Sequence, residues 1–158
     1  MELKARIIQF LKQNSIPFTI REHEAASTCE DSARLRGEDL AIGGKTLLFK
    51  DKVGFKLFVI SAKLQVDSNK VRKILNSSKL RFATAGELMD LCSVEKGALP
   101  PLGRPVQDFD LFIDESIKAN DKIAFNAGLL TTSIILKTED YLKVVDGQFC
   151  EFSRTDNL

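Results

Sequence analysis

A chain of 158 residues with 44% hydrophobic and 28% charged side chains has the composition of one folded domain, long enough to bury a sizeable core without a disulfide. Its 23 lysines and arginines against 22 acids leave a net charge of +1, which excludes a global electrostatic case for nucleic acid. Three dispersed cysteines (Cys29, Cys92 and Cys150) with no CxxC exclude a zinc site and a disulfide framework, and no apolar run has membrane length, so the expectation is a cytoplasmic protein without a membrane partner.

Leu3, Ile7, Ile8, Phe10 and Leu11 recur at helical spacing and predict an opening helix that Asn14-Ser15 and Pro17 end. Phe18 to Arg21 alternates as a short strand. Ser27-x-x-Glu30 and Thr28-x-x-Asp31 both read as capping boxes for a helix over about residues 29 to 36, with Gly37 as its stop. Thr46 to Lys50 and Phe55 to Ile60 flank a turn-like Asp51-Lys52-Val53-Gly54 and predict a β-hairpin. Asp67 or Ser68 caps a helix through Val71, Ile74 and Leu75, and Leu80 to Ala83 returns to strand character. Thr84-x-x-Glu87 opens a helix carrying Leu88, Met89 and Leu91. Extended runs follow at about 109 to 113, 122 to 127 and 132 to 137, then a helix near 139 to 144 and a final strand near 148 to 152.

Hairpin-like neighbours mixed with short helices do not keep the alternation of a doubly wound sheet. The expected fold class is mixed α/β, a compact single domain over residues 1–152 with a mostly antiparallel sheet, followed by a tail at 153–158.

Gly97-Ala98-Leu99-Pro100-Pro101-Leu102-Gly103 holds two of the four prolines and two of the nine glycines. Such a loop is stiff, low in bulk and offers backbone groups, which suits either a plain connection or a site that orients a water or a polar substrate. Gly44-Lys45-Thr46 is not a P-loop, because Asp39 stands where the first glycine belongs and a strand follows. It leaves a lysine at the mouth of a buried strand. His23 is the only histidine and reads as a surface or cap residue, and Cys29 reads as an inert thiol. No nucleophilic or metal constellation is present in the sequence, and no cofactor is called for; an enzyme of this composition works by positioning water and substrate. Asn126-Ala127-Gly128 reads either as a plain strand-to-strand turn or as one side of a pocket on which the glycine-proline loop and Lys45 also converge. Lys63, Lys70, Arg72, Lys73, Lys79 and Arg81 stand against one acid, Asp67, and read either as a solvated surface or as a patch that meets phosphates.

Thr28 with Glu30 and Ala33, Gly44-Lys45-Thr46-Leu47-Leu48-Phe49, Gly97-x-x-x-Pro101-Leu102-Gly103, Ile113-Asp114-Glu115 and Asn126-Ala127-Gly128 follow one another as in the YbaK-like aminoacyl-tRNA deacylases. The chain resembles that family over nearly its whole length. The resemblance implies a barrel-like, mostly antiparallel sheet and hydrolysis of the ester joining a wrong amino acid to the 3′ end of a tRNA, most often tRNA for proline. It implies that Lys45, Gly97, Ala98 and Pro101 serve catalysis, and that Thr28, Asn126, Gly128 and Ser133 shape the amino-acid pocket. The basic stretch then meets tRNA phosphates, and a synthetase is a further partner. Ser133 and Pro100 depart from the pattern of the better-known subgroups, leaving alanine, serine, threonine, cysteine and non-protein amino acids open. The alternative is a non-catalytic tRNA- or synthetase-binding module of the same fold.

Overall fold

The computed structural model describes residues 1–26 and 28–155. The capping box read from Ser27 and the last three residues of the tail lie outside the described residues.

Among the described residues five α-helices, α1 (Leu3–Gln13), α2 (Cys29–Arg36), α3 (Ser68–Leu75), α4 (Ala85–Cys92) and α5 (Thr138–Val144), accompany eight strands. The strands are β1 (Thr19–Glu22), β2 (Gly44–Lys50), β3 (Phe55–Ser61), β4 (Arg81–Phe82), β5 (Asp110–Asp114), β6 (Lys122–Asn126), β7 (Thr132–Lys137) and β8 (Gly147–Cys150). They form two sheets, β1-β7-β6 and β4-β2-β3-β5-β8. The smaller is wholly antiparallel; in the larger, β3, β5 and β8 run parallel. A single bridge between Gly43 and Ala124 joins the two. The expected barrel is therefore a pair of open sheets that meet along one seam, while the mixed α/β class stands.

Local chemistry sets the boundaries. The Thr28 hydroxyl accepts from the Asp31 amide at 3.1 Å, Asp67 caps α3, and Thr84 and Glu87 make the reciprocal box of α4. Gly37 ends α2 at φ +74°. In the β2–β3 turn, Asp51 Oδ1 accepts from the Val53 and Gly54 amides, fixing the hairpin.

Helix α1 buries Leu3, Ile7 and Leu11 in a core shared with Leu57, Val59 and Ile113 of the larger sheet and Phe125 and Ile134 of the smaller. The alternate residues Phe58, Ile60 and Phe112 enter a second cluster with Val71 of α3 and Phe152. The larger sheet is covered on both faces, which explains why 57 to 60 reads as an unbroken apolar run. Past Phe152, the Arg154 amide donates to Gln65 O at 2.9 Å and Ser153 bridges Val66. Among the described residues, no helix is long and apolar enough to cross a membrane.

Strand β4 pairs with β2 only at Phe49 and Lys50, so β2 from Gly44 to Leu48 has no strand on that side.

Candidate active site

Along this open edge lies a cavity of about 710 Å³, walled by β2, α2, β6, the start of α4 and the glycine-proline loop. Its charged lining consists of Arg36, Lys45 and Lys96, with no carboxylate among the described lining residues. The site is an apolar concavity with cations set into it, suited to an anionic or strongly polarised ligand.

Lys45 enters at the start of β2, and its Nζ donates to Leu64 O at 2.7 Å. Burial lowers its pKa below the ordinary lysine value, while negative charge on neighbouring Cys29 and Glu30 opposes that shift. Cys29 shares the wall, and burial pushes its thiol up, so it is no poised nucleophile.

Arg36, at the end of α2, is 4% exposed. Its Nη2 donates to Asn126 Oδ1 at 3.2 Å and its Nε has no partner. Glu38, two residues further on, is paired instead with Arg21 at 3.8 Å and Lys122 at 3.0 Å. Burial brings the guanidinium down to about 10.

Asn126, the last residue of β6, joins this charge to the loop. Its Oδ1 accepts from Arg36 and, at 3.2 Å, from the Ser133 hydroxyl; its Nδ2 donates to Gly97 O at 2.9 Å. Behind Ser133, His23 Nε2 stands 2.8 Å from Ser133 Oγ while Nδ1 meets Glu24 O at 2.8 Å. A carbonyl only accepts, so Nδ1 carries a proton.

The loop is held from within. Gly97 adopts φ +94°, a conformation that favours glycine. Its neighbours' carbonyls are taken by the Gly128 amide (Ala98 O, 3.0 Å), by Gln107 Nε2 (Pro100 O, 3.2 Å; Leu102 O, 2.8 Å) and by the Tyr141 hydroxyl (Pro101 O, 2.6 Å). Gly128 itself sits at φ +85°, with Leu3 so close that a Cβ would meet it at 3.2 Å. Tyr141→Phe leaves the buried Pro101 carbonyl without its donor. We expect a loss of about 1–3 kcal/mol, read as a lower urea midpoint at constant m-value.

A family profile described as "aminoacyl-tRNA editing domain" matches residues 23–144. The chain belongs to the aminoacyl-tRNA editing domain family. Its relatives include the multifunctional Ser/Thr-tRNA deacylase ProXp-y of Escherichia coli K12, 33% identical over 95% of this chain and 92% of that protein. Another is the prolyl-tRNA editing protein ProX of Acetoanaerobium sticklandii, 23% identical over 92% of each chain. A solved structure described as a candidate trans-editing enzyme for prolyl-tRNA synthetase superposes with a TM-score of 0.84 at 20% identity, covering 98% of both chains; it shows the shared fold.

Within this editing domain the residues singled out from sequence divide into two layers. Lys45, Thr28, Gly97 and Asn126 line the cavity. Ala98, Pro101, Gly128 and Ser133 stand behind it, buried or tied to the loop. The six basic residues are not among the lining. Lys70, Arg72 and Lys73 lie on α3, against the second cluster, and Lys70 pairs with Glu151 at 3.0 Å. Arg81 makes two bonds to Glu87, and Lys63, Lys73 and Lys79 are exposed. Sequence reasoning missed Arg36, Lys96 and the link from His23 through Ser133. Arg36 reads as an ordinary cation complementing the last turn of a helix, and nothing local marks it as buried.

Proposed function

We propose that this domain is a trans-editing hydrolase that removes a small non-cognate amino acid from the 3′ end of mischarged tRNA, with seryl and threonyl esters as its first substrates. The observation that carries the reading is a cavity whose lining charges are all cationic, set beside a pinned glycine loop, in a chain of the editing family. Likeness to the Ser/Thr-tRNA deacylase favours those two amino acids over the wider set.

Water attacks the ester carbonyl, the bond to the ribose oxygen breaks, that oxygen takes up one of the water's protons, the other passes to solvent, and the amino acid leaves as a carboxylate. With no poised nucleophile among the described residues of the wall, the domain contributes position and field rather than covalent chemistry. Lys45 lies against the terminal phosphate or the developing oxyanion. Gly97 contacts the reacting ester, and Ala98 and Pro101 keep the loop in place. Thr28 walls the amino-acid end. Asn126 aims Gly97, with Ser133 and Gly128 supporting it. Binding alone separates amino acids that differ by one methylene by only about 1–3 kcal/mol, so a second, shape-selective hydrolytic site serves fidelity. Lys63, Lys70, Arg72, Lys73, Lys79 and Arg81 meet the tRNA body outside the cavity, and a synthetase supplies the substrate.

The test is the time course of ester loss from tRNAs charged with alanine, serine, threonine, cysteine and proline, each with an enzyme-free control. Rapid loss of serine and threonine with correctly paired tRNAs spared is expected. Tight binding of charged tRNA with no loss above the control would replace the hydrolase with a binding module.

A further inference from the structure

Phe82 is the second and last residue of β4 and lines the cavity beside Ala83, yet it is 55% exposed. An aromatic ring left this open in so small a domain costs apolar burial, and its mounting is rigid. One face stacks on Phe49, with centroids 4.6 Å apart and planes at 27°. Its carbonyl accepts from Arg81 Nη1 at 3.2 Å, and Arg81 is itself locked to Glu87 by bonds of 2.8 and 3.0 Å. The next amide, Ala83 N, donates to Leu48 O at 2.8 Å. The backbone and the covered face are fixed, and what remains is a flat π-surface on the cavity wall.

The same cavity carries Arg36, Lys45 and Lys96 and no lining carboxylate. A fixed aromatic face combined with a cation-lined recess is the pairing by which proteins hold unpaired nucleotides, the ring taking the base and the cations the phosphates. We propose that Phe82 is a stacking platform for an unpaired nucleobase of the tRNA's single-stranded 3′ end. The charge complementarity of the recess selects a nucleotide over an apolar peptide as the occupant. The platform rests on the reading of the domain as acting on charged tRNA and adds to it the group that reads the strand rather than the amino acid.

Two variants test it. Phe82→Leu keeps an apolar cover over Phe49 without an aromatic face, and Phe82→Trp enlarges the face. The chain contains no tryptophan, so the new indole is the sole reporter of its kind. With seryl-tRNA as substrate, Phe82→Leu should raise KM by roughly 5- to 100-fold with little change in kcat, and Phe82→Trp should restore the wild-type KM. Titrating Phe82→Trp with a short ribo-oligonucleotide ending in CCA should quench its fluorescence, and the same oligonucleotide with an abasic 3′ end should quench it far less. An unchanged KM in Phe82→Leu, or equal quenching by both oligonucleotides, overturns the platform. Absence of ester loss with the wild type overturns the hydrolase reading alone, because the quenching needs no turnover.

Discussion

Lys45→Met is expected to slow deacylation by about 10²- to 10³-fold, the range seen when a preorganised electrostatic donor is removed from a water-poor site. Methionine matches the length of the lysine stem and removes only the charge, so the cavity keeps its shape. Stability should change by no more than about 1 kcal/mol, since the change removes a half-buried ammonium together with its bond to the Leu64 carbonyl. The pH dependence separates the two effects. Burial lowers the Lys45 pKa, so the active ammonium is lost at a lower pH than an ordinary lysine would lose it, and activity should fall earlier on the alkaline side. For stability the sign is opposite. A base with a lowered folded pKa penalises the fold while it is protonated, and the penalty fades as pH rises through the folded value towards the unfolded one. Any stabilisation from Lys45→Met should therefore shrink with rising pH. Urea midpoints and single-turnover rates across the same pH series check both; turnover that survives Lys45→Met removes the lysine from the chemistry.

Asn126 yields the second large effect, and two replacements separate its duties. Asn126→Asp keeps an acceptor for Arg36 and Ser133, and gives the buried guanidinium a carboxylate it lacks. It loses the donor that holds Gly97 O and sets an anionic oxygen against that carbonyl. The expected result is a stability at or above wild type with a loss of about 10²-fold in kcat, as the loop moves off its productive position. Asn126→Ala instead removes the acceptor from a charge that is 4% exposed. Stranding such a charge costs about 3–5 kcal/mol, so this variant should lose stability and activity together. Chemical denaturation and single-turnover deacylation of both proteins give the comparison. Equal stability losses in the two would show that Asn126 only fills space.

What could be read from the chain was local. Thr84 with Glu87, Asp67 and the Asp51 turn act through side chains within three residues of their targets, Gly37 acts through its own left-handed backbone, and each produced the boundary expected of it. The glycine-proline loop announced its stiffness through composition. Beyond the β2–β3 hairpin, pairing was not legible: β1 lies against β7 and β5 against β3 and β8, partners separated by stretches of chain with no local signature of their meeting. The same limit hid the inner part of the site. Lys45 stands out between glycines, but Arg36 becomes a buried charge only because Asn126, 90 residues on, arrives to accept from it. His23 reads as a surface histidine until β7 brings Ser133 beneath its ring. Phe82 has no sequence mark at all, because an exposed phenylalanine and a core one are spelled alike.

The brevity of β4 has one further consequence. A strand edge with unpaired amides and carbonyls is a template on which another copy can add a strand, the first step towards aggregation. Here the unpaired stretch of β2 from Gly44 to Thr46 lines a recess whose other walls include α2 and the Gly97 loop, and Lys45 sets a positive charge in it. A second chain cannot lie flat against an edge walled in by a helix and a loop, and an identical recess presents the same charge. The concavity proposed as the substrate site thus also guards the sheet against its own kind.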